Sequence, residues 1–292
     1  MKIVERNSID VEKWDRLVLS SAEHTLFSLS TYLDAVAENW AILIDDTYSK
    51  GIALPYSIRL GVKTLYVPFF YRYVEVLGGE IVGLEQELKK NFKVSNFNIK
   101  TKLNQFESEI LNYQEVNGLK LNQQAKRMCS KALKSNIEIK ETSTDFSSVL
   151  KIIEDELKQK VTVFQSDSKK GIERLIENLG STNHLKVYGF YEVDELVGGM
   201  IFMKTESRTI YLKGAAKENA RNQGLMYACM KSEIEDTLNN NKVFDFGGSS
   251  VEGVRRFNLN FGAIDVNYFH YEWNNGPIWW KTIKYLRNLW KK

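Results

Sequence analysis

The segment Phe244-Asp-Phe-Gly-Gly-Ser-Ser-Val-Glu-Gly-Val-Arg-Arg-Phe-Asn-Leu-Asn-Phe-Gly-Ala263 decides the fold. Phe244 and Phe246 alternate about Asp245, as on a largely interior strand, and the strand runs into Gly247-Gly248. Ser249-Ser250-Val251-Glu252 has the S-x-x-E spacing of a capping box, so a helix begins there. It runs to Phe261 and ends at Gly262, a residue type that tolerates the left-handed conformation past a helix end. A strand over 264–273 follows. Strand, glycine turn, helix and strand in succession belong to an α/β protein.

Upstream, a long helix occupies about 222–240, preceded by strands at 185–193, 196–204 and 208–214, the first two joined by Asp194-Glu195. Asp145 and Ser168 are placed to cap two helices before them, the first with Phe146, Val149, Leu150, Ile153 and Leu157 facing inward. The first half reads in the same order. A strand at 2–6 leads to helices after Asp10 and Ser30. Strands follow near 40–45, 51–59 and 63–70, then a helix near 83–92, a strand at 95–100, a helix at 122–135 and a strand at 137–140. This alternation excludes all-α and all-β classes. It predicts mixed α/β layers in two tandem domains, 1–141 and 142–292, repeated in architecture without residue-level similarity.

Composition narrows the function. With 43% apolar residues the 292-residue chain can bury real cores, and three prolines leave little linker between domains. The net charge of +3 lacks the basic excess of a dedicated DNA binder, although basic residues gather in 119–140 and 277–292. Cys129 and Cys229 sit in helical patterns, as reduced thiols would, and His24, His184 and His270 are too scattered to suggest a metal site. The first residues lack the apolar core of a signal peptide, and no apolar run reaches about 18 residues. The cytoplasm is the expected location.

The element order resembles the GNAT acyltransferases, and two tandem copies resemble the FemAB family, whose members extend peptidoglycan side chains from aminoacyl-tRNA. Three segments carry the resemblance: 244–263, the basic helix region Leu121–Ile139, and Leu185–Leu212 with its acidic hairpin and Val197-Gly-Gly-Met-Ile-Phe202. The resemblance implies transfer of an acyl or aminoacyl group from acyl-CoA or aminoacyl-tRNA to an amine, such as a cell-wall precursor. Family members often carry a charge-stabilising lysine after the last-helix phenylalanine; here Phe257 is followed by Asn258. A module that kept this fold for binding alone is the alternative.

Candidate residues follow. Asp245 is either a buried general base or the anchor of the glycine turn, and Asn258 stands in the catalytic position. Gly247, Gly248 and Ser249 open backbone N–H groups at a helix start, beside Arg255 and Phe257. Tyr211 and Lys213 lie on the strand before the long helix. Arg221, Asn222, Gln223 and Gly224 keep part of the loop that grips coenzyme A pyrophosphate in GNAT enzymes, with Met226 at the last small position. Arg127, Lys131 and Lys134 share a helical face, read either as a phosphate or tRNA contact or as a solvated face. Tyr71, Arg72 and Tyr73 form an aromatic stretch read as a substrate platform or as core. Residues 277–292, rich in tryptophan and lysine, either lie on an anionic membrane surface or pack back on the first domain.

Overall fold

The computed structural model describes residues 1–21, 25–68, 70–103, 107–142, 146–158, 173–175, 177–179, 184–247 and 252–282. Two compact units emerge, each a mixed α/β layer structure. The caps expected at Asp145 and Ser168, and Gly248 and Ser249, lie outside the described residues.

In unit 1, β1 (Lys2–Glu5), β2 (Asn39–Ile44), β3 (Gly51–Arg59) and β4 (Val62–Tyr66) pair antiparallel in that order, and the short β5 (Val76–Leu77) pairs with β3. β4 is parallel to β6 (Val94–Ile99), through Thr64↔Val94 to Tyr66↔Asn96. One of the three helices between them has a clear local cause. α1 (Val11–Ser20) is capped by Asp10, whose carboxylate accepts from the Lys13 N–H, and it buries Trp14, Leu17 and Val18. The other two are α2 (Ser30–Val36) and α3 (Leu84–Asn91). The strand expected at 63–70 stops at Tyr66, because Pro68 brings no N–H to a ladder.

Unit 2 repeats this order one half later. β8 (Ile137–Glu141), β9 (Leu185–Glu192), β10 (Glu195–Lys204) and β11 (Arg208–Ala216) are consecutive antiparallel neighbours. β11 is then parallel to β12 (Val243–Asp245). α5 (Phe146–Lys158) packs on β9 to β11, while α7 (Leu225–Asn239) packs on β8 and on β10 to β12. Short α6 (Glu218–Asn222) precedes α7, and α8 (Glu252–Leu259) follows β12. The unit's core joins Phe202, Phe244, Phe246, Phe261, Met230 and Ile234.

The sixth strand in the strand order of each unit is taken from outside its own half. β7 (Glu109–Val116) pairs antiparallel with β12 in unit 2, and β13 (Ile264–Asn274) pairs antiparallel with β6 in unit 1. This corrects the expected division at 141/142. Unit 2 takes Asn112–Val266, and the chain from Asn267 rejoins unit 1. The physical reason is pairing: β8 is the first strand of unit 2, bound to β9 from Ile137↔Glu192 to Glu141↔Tyr188. Just before it, α4 (Gln123–Ala132), capped by Asn122, packs on α7, and the Lys120 and Asn122 N–H groups donate to the Phe261 and Asn260 carbonyls. Among the described residues no helix is long and apolar enough to cross a membrane.

Candidate functional site

In unit 2, β11 outlasts its partner. Its pairing with β12 ends at Ile210↔Asp245, yet β11 continues to Ala216. The Phe246 N–H turns instead to the Gln114 carbonyl on β7 (2.9 Å). The two strands therefore part beyond Ile210, and the opening is flanked by Tyr211–Ala216 on one side and the Gly247 turn on the other. Gly247 has φ +81°, a conformation that costs a side-chain-bearing residue. The turn is held by the Gly247 N–H donating to Asp245 Oδ1 at 2.8 Å.

The side chains at the opening divide between the two faces of the sheet. A bulge in the β10–β11 ladder pairs Ile201 with Lys213 and Phe202 with Tyr211, so these two β11 side chains leave opposite faces. Tyr211 goes to the α7 face and packs on Phe202 at 5.6 Å between ring centroids, where burial raises its phenol pKa well above the ordinary range. Lys213 goes to the α5 face. There α5 approaches so closely that a Cβ at Gly199 would meet Val149 at 2.5 Å. Burial on this face depresses the Lys213 ammonium to about 8, with Glu154 of α5 acting in the opposite direction.

Asp245 is wholly enclosed, and its partners define its role. Arg208 Nη1 donates to Asp245 Oδ2 at 3.3 Å and to Glu115 Oε1 at 2.9 Å, while the Tyr113 hydroxyl donates to the same Glu115 oxygen at 2.8 Å. With one oxygen on the turn and the other on a guanidinium, Asp245 is built as an anchor.

Asn258 is also fully buried. Its Nδ2 donates to Gln114 Oε1 at 2.9 Å, Gln114 Nε2 donates to Asp265 Oδ1 at 2.9 Å, and Asp265 receives Arg255. Arg255 is thus committed to a carboxylate, and Phe257 packs edge-on against Tyr227 and Phe261 at 4.7 and 5.3 Å between ring centroids. The position where the resemblance places a lysine holds an amide relay from α8 to β7, in which Asn258 Oδ1 has no hydrogen-bond partner among the described residues. Asn258→Ala is expected to cost about 1–3 kcal/mol, because the buried Gln114 carbonyl loses its donor. Urea unfolding followed through the unit 2 aromatics measures this loss; an unchanged midpoint would mean water replaces the amide.

The loop at 221–224 departs from a phosphate cradle. Residues 218–222 form α6, so the Arg221, Gln223 and Gly224 N–H groups donate to the carbonyls of Lys217, Asn219 and Arg221 at 3.0, 3.0 and 3.1 Å. Gln223 also bonds Ser135 through its side chain. Asn222 closes α6. Arg127, Lys131 and Lys134 are exposed, the first two on α4 and the third in the turn beyond it.

Tyr71, Arg72 and Tyr73 belong to unit 1 and are buried. The Arg72 guanidinium lies over Phe27 and Tyr73, whose ring packs against Tyr268. A groove of about 970 Å³ in the same unit is lined by Gly79, Ile81, Gly83, Glu85, Glu87 and Lys102 among others, and by none of the sequence candidates. After Pro277 a helical stretch begins with Ile278 and Trp279 exposed. The remainder of that segment, from 283, lies outside the described residues.

Sequence reading missed Gln114, Glu115, Arg208 and Glu154. Glu154 left a signal, since it falls four residues after Leu150 and beside Ile153, inside the apolar stripe of α5.

Two units, each with four antiparallel strands, a parallel strand beyond them and helices on the faces, define a tandem GNAT fold. The chain is similar to FemX, at TM-score 0.63 with 11% identity over 94% of this chain and 98% of that one. It is also similar to L-PGS from Bacillus licheniformis (TM-score 0.58, 12% identity, 95% and 96% of the two chains). A third similar structure is a tandem GNAT protein from the clavulanic acid biosynthesis pathway (TM-score 0.53, 10% identity, 94% and 99%). No family model matches the sequence, and no curated protein matches it.

Proposed function

We propose that this chain transfers an acyl or aminoacyl group from an activated thioester or ester to an amine acceptor, at the opening between β11 and β12. The observation that carries this reading is the parting of those strands after Ile210↔Asp245, beside a glycine turn anchored by Asp245. Backbone donors fixed beside such an opening stabilise the oxyanion that forms when an amine adds to an acyl carbon. The shared tandem GNAT fold supports the same class of chemistry.

The donor is either acyl-CoA or aminoacyl-tRNA, and a pyrophosphate grip at 221–224 is not part of the proposal, since the amides there are spent. The exposed Arg127 and Lys131 on α4 are the proposed contacts for donor phosphates. The test supplies acetyl-CoA, longer acyl-CoAs and mixed aminoacyl-tRNA, with amines including UDP-linked muropeptides. Donor consumption is measured with and without the amine. Amine-dependent consumption is the expected result. Thermal stabilisation by a donor without consumption of any would favour a binding module, a reading motivated by the neutral amide of Asn258 where the resemblance places a lysine.

A further inference from the structure

Lys213 and Glu154 are charged residues on one face of the opening that the anchoring of the glycine turn does not employ. Lys213 lies three residues past Ile210, the last β11 residue paired with β12, and the bulge turns it onto the α5 face, away from the aromatic core. Glu154 enters that face from α5, is 4% exposed, and has Oε1 without a hydrogen-bond partner among the described residues. Among the described residues, Arg208, Asp245 and Glu115 also lie there and are joined to one another. From β10 the neighbour is the apolar Ile201. A buried carboxylate with an open acceptor inside an apolar stripe is costly, and core packing does not call for it.

We infer that Lys213 is the proton acceptor of the transfer reaction and that the buried Glu154 carboxylate is a positioning residue that acts on it through its charge, an assignment that rests on the transferase reading above. The acceptor amine arrives as an ammonium. The neutral Nζ of Lys213 takes one proton from it, and the freed lone pair forms the C–N bond at the acyl carbon. The C–O or C–S bond to the donor then breaks, and the departing oxygen or sulfur takes the second proton released by the attacking nitrogen. Lys213 returns its proton to solvent. With its ammonium depressed to about 8, roughly a tenth of Lys213 is neutral at pH 7, against about one part in 3,000 for an ordinary lysine.

The test reads Lys213 directly. Lysine 13Cε NMR of the full chain, with the Lys213 resonance assigned by its loss in Lys213→Arg, gives its titration midpoint in the wild type and in Glu154→Gln. The midpoint is expected near 8 in the wild type and lower in Glu154→Gln, because the carboxylate favours the ammonium. In the donor-consumption assay, kcat/KM is expected to rise along an acid limb with that same midpoint. Lys213→Arg, which keeps the charge and cannot release it, should lower kcat/KM by about a hundredfold or more and abolish the limb. A midpoint near 10.5, one unmoved in Glu154→Gln, or a rate limb that ignores it would overturn the assignment and leave the transferase reading standing. Absence of amine-dependent consumption by the wild type overturns both, and the NMR midpoint then shows whether the pair itself exists. Glu154→Gln is close in shape to the wild type, so the titration remains readable where Lys213→Arg does not fold.

Discussion

Replacing Arg208 with Met should be among the most damaging single substitutions in unit 2, costing about 3–5 kcal/mol. Arg208 is 7% exposed and is the cation shared by Asp245 and Glu115. Without it two carboxylates face each other on adjacent strands, at the register pair Asp245↔Glu115. Each then carries burial and like-charge repulsion with no cation to offset them. Urea unfolding of the variant at pH 7 measures the penalty, and adding Asp245→Asn and Glu115→Gln should recover most of the loss. A cost below about 1 kcal/mol at pH 7 would mean that water already reaches the cluster.

The same cluster separates the two readings of Asp245. Asp245→Asn keeps an oxygen for the Gly247 N–H and removes only the charge and basicity. An anchor predicts a modest loss of stability with transfer retained within a few-fold. A loss of about 100-fold to 10,000-fold in rate with the fold intact would return Asp245 to the role of general base.

Much of this arrangement was legible in the sequence where local signals agree. The strand–glycine–helix segment 244–263 and the helix cap at Asp10 are short-range features, and so are the three strands that end at 214. Each was readable from periodicity and turn chemistry. β7 was not, because Ile110, Leu111, Tyr113 and Val116 do not alternate cleanly and Gln114 is a polar residue that the fold buries completely. Its strand character comes from pairing with β12, more than a hundred positions away, which no local pattern carries. The exchange of sixth strands is invisible for the same reason, and with it the true unit boundary. Among the candidates, Asp245 and Gly247 could be read together because the turn that joins them is local. Arg208 and Glu115 became partners only through the sheet register. The loop at 221–224 was misleading in a different way. Its residue types suggest a phosphate grip, but α6 forms there and takes the amides.

Gly224 tests that last point. It stands at the start of α7 with φ +86°, and a Cβ placed on it would lie 2.2 Å from the Met128 carbonyl oxygen of α4. Glycine is required here twice, for the left-handed backbone and for the approach of a second helix. Neither requirement involves a ligand. Gly224→Ala is expected to cost about 2–5 kcal/mol, combining left-handed strain with overpacking against backbone that cannot rotate away. The loss should appear as a lowered unfolding midpoint whether or not acyl-CoA is present. If instead Gly224 served a coenzyme A pyrophosphate, Gly224→Ala would leave the ligand-free midpoint nearly unchanged and abolish the shift produced by acyl-CoA. The first outcome would show that α4 occupies the place where a GNAT enzyme grips its cofactor. Donor phosphates would then have to be held elsewhere, and Arg127 and Lys131 are exposed cations on the same helix. Charge reversal of those two residues, which lie outside the packed contact at Gly224, should weaken donor binding while leaving the midpoint within about 0.5 kcal/mol of the wild type.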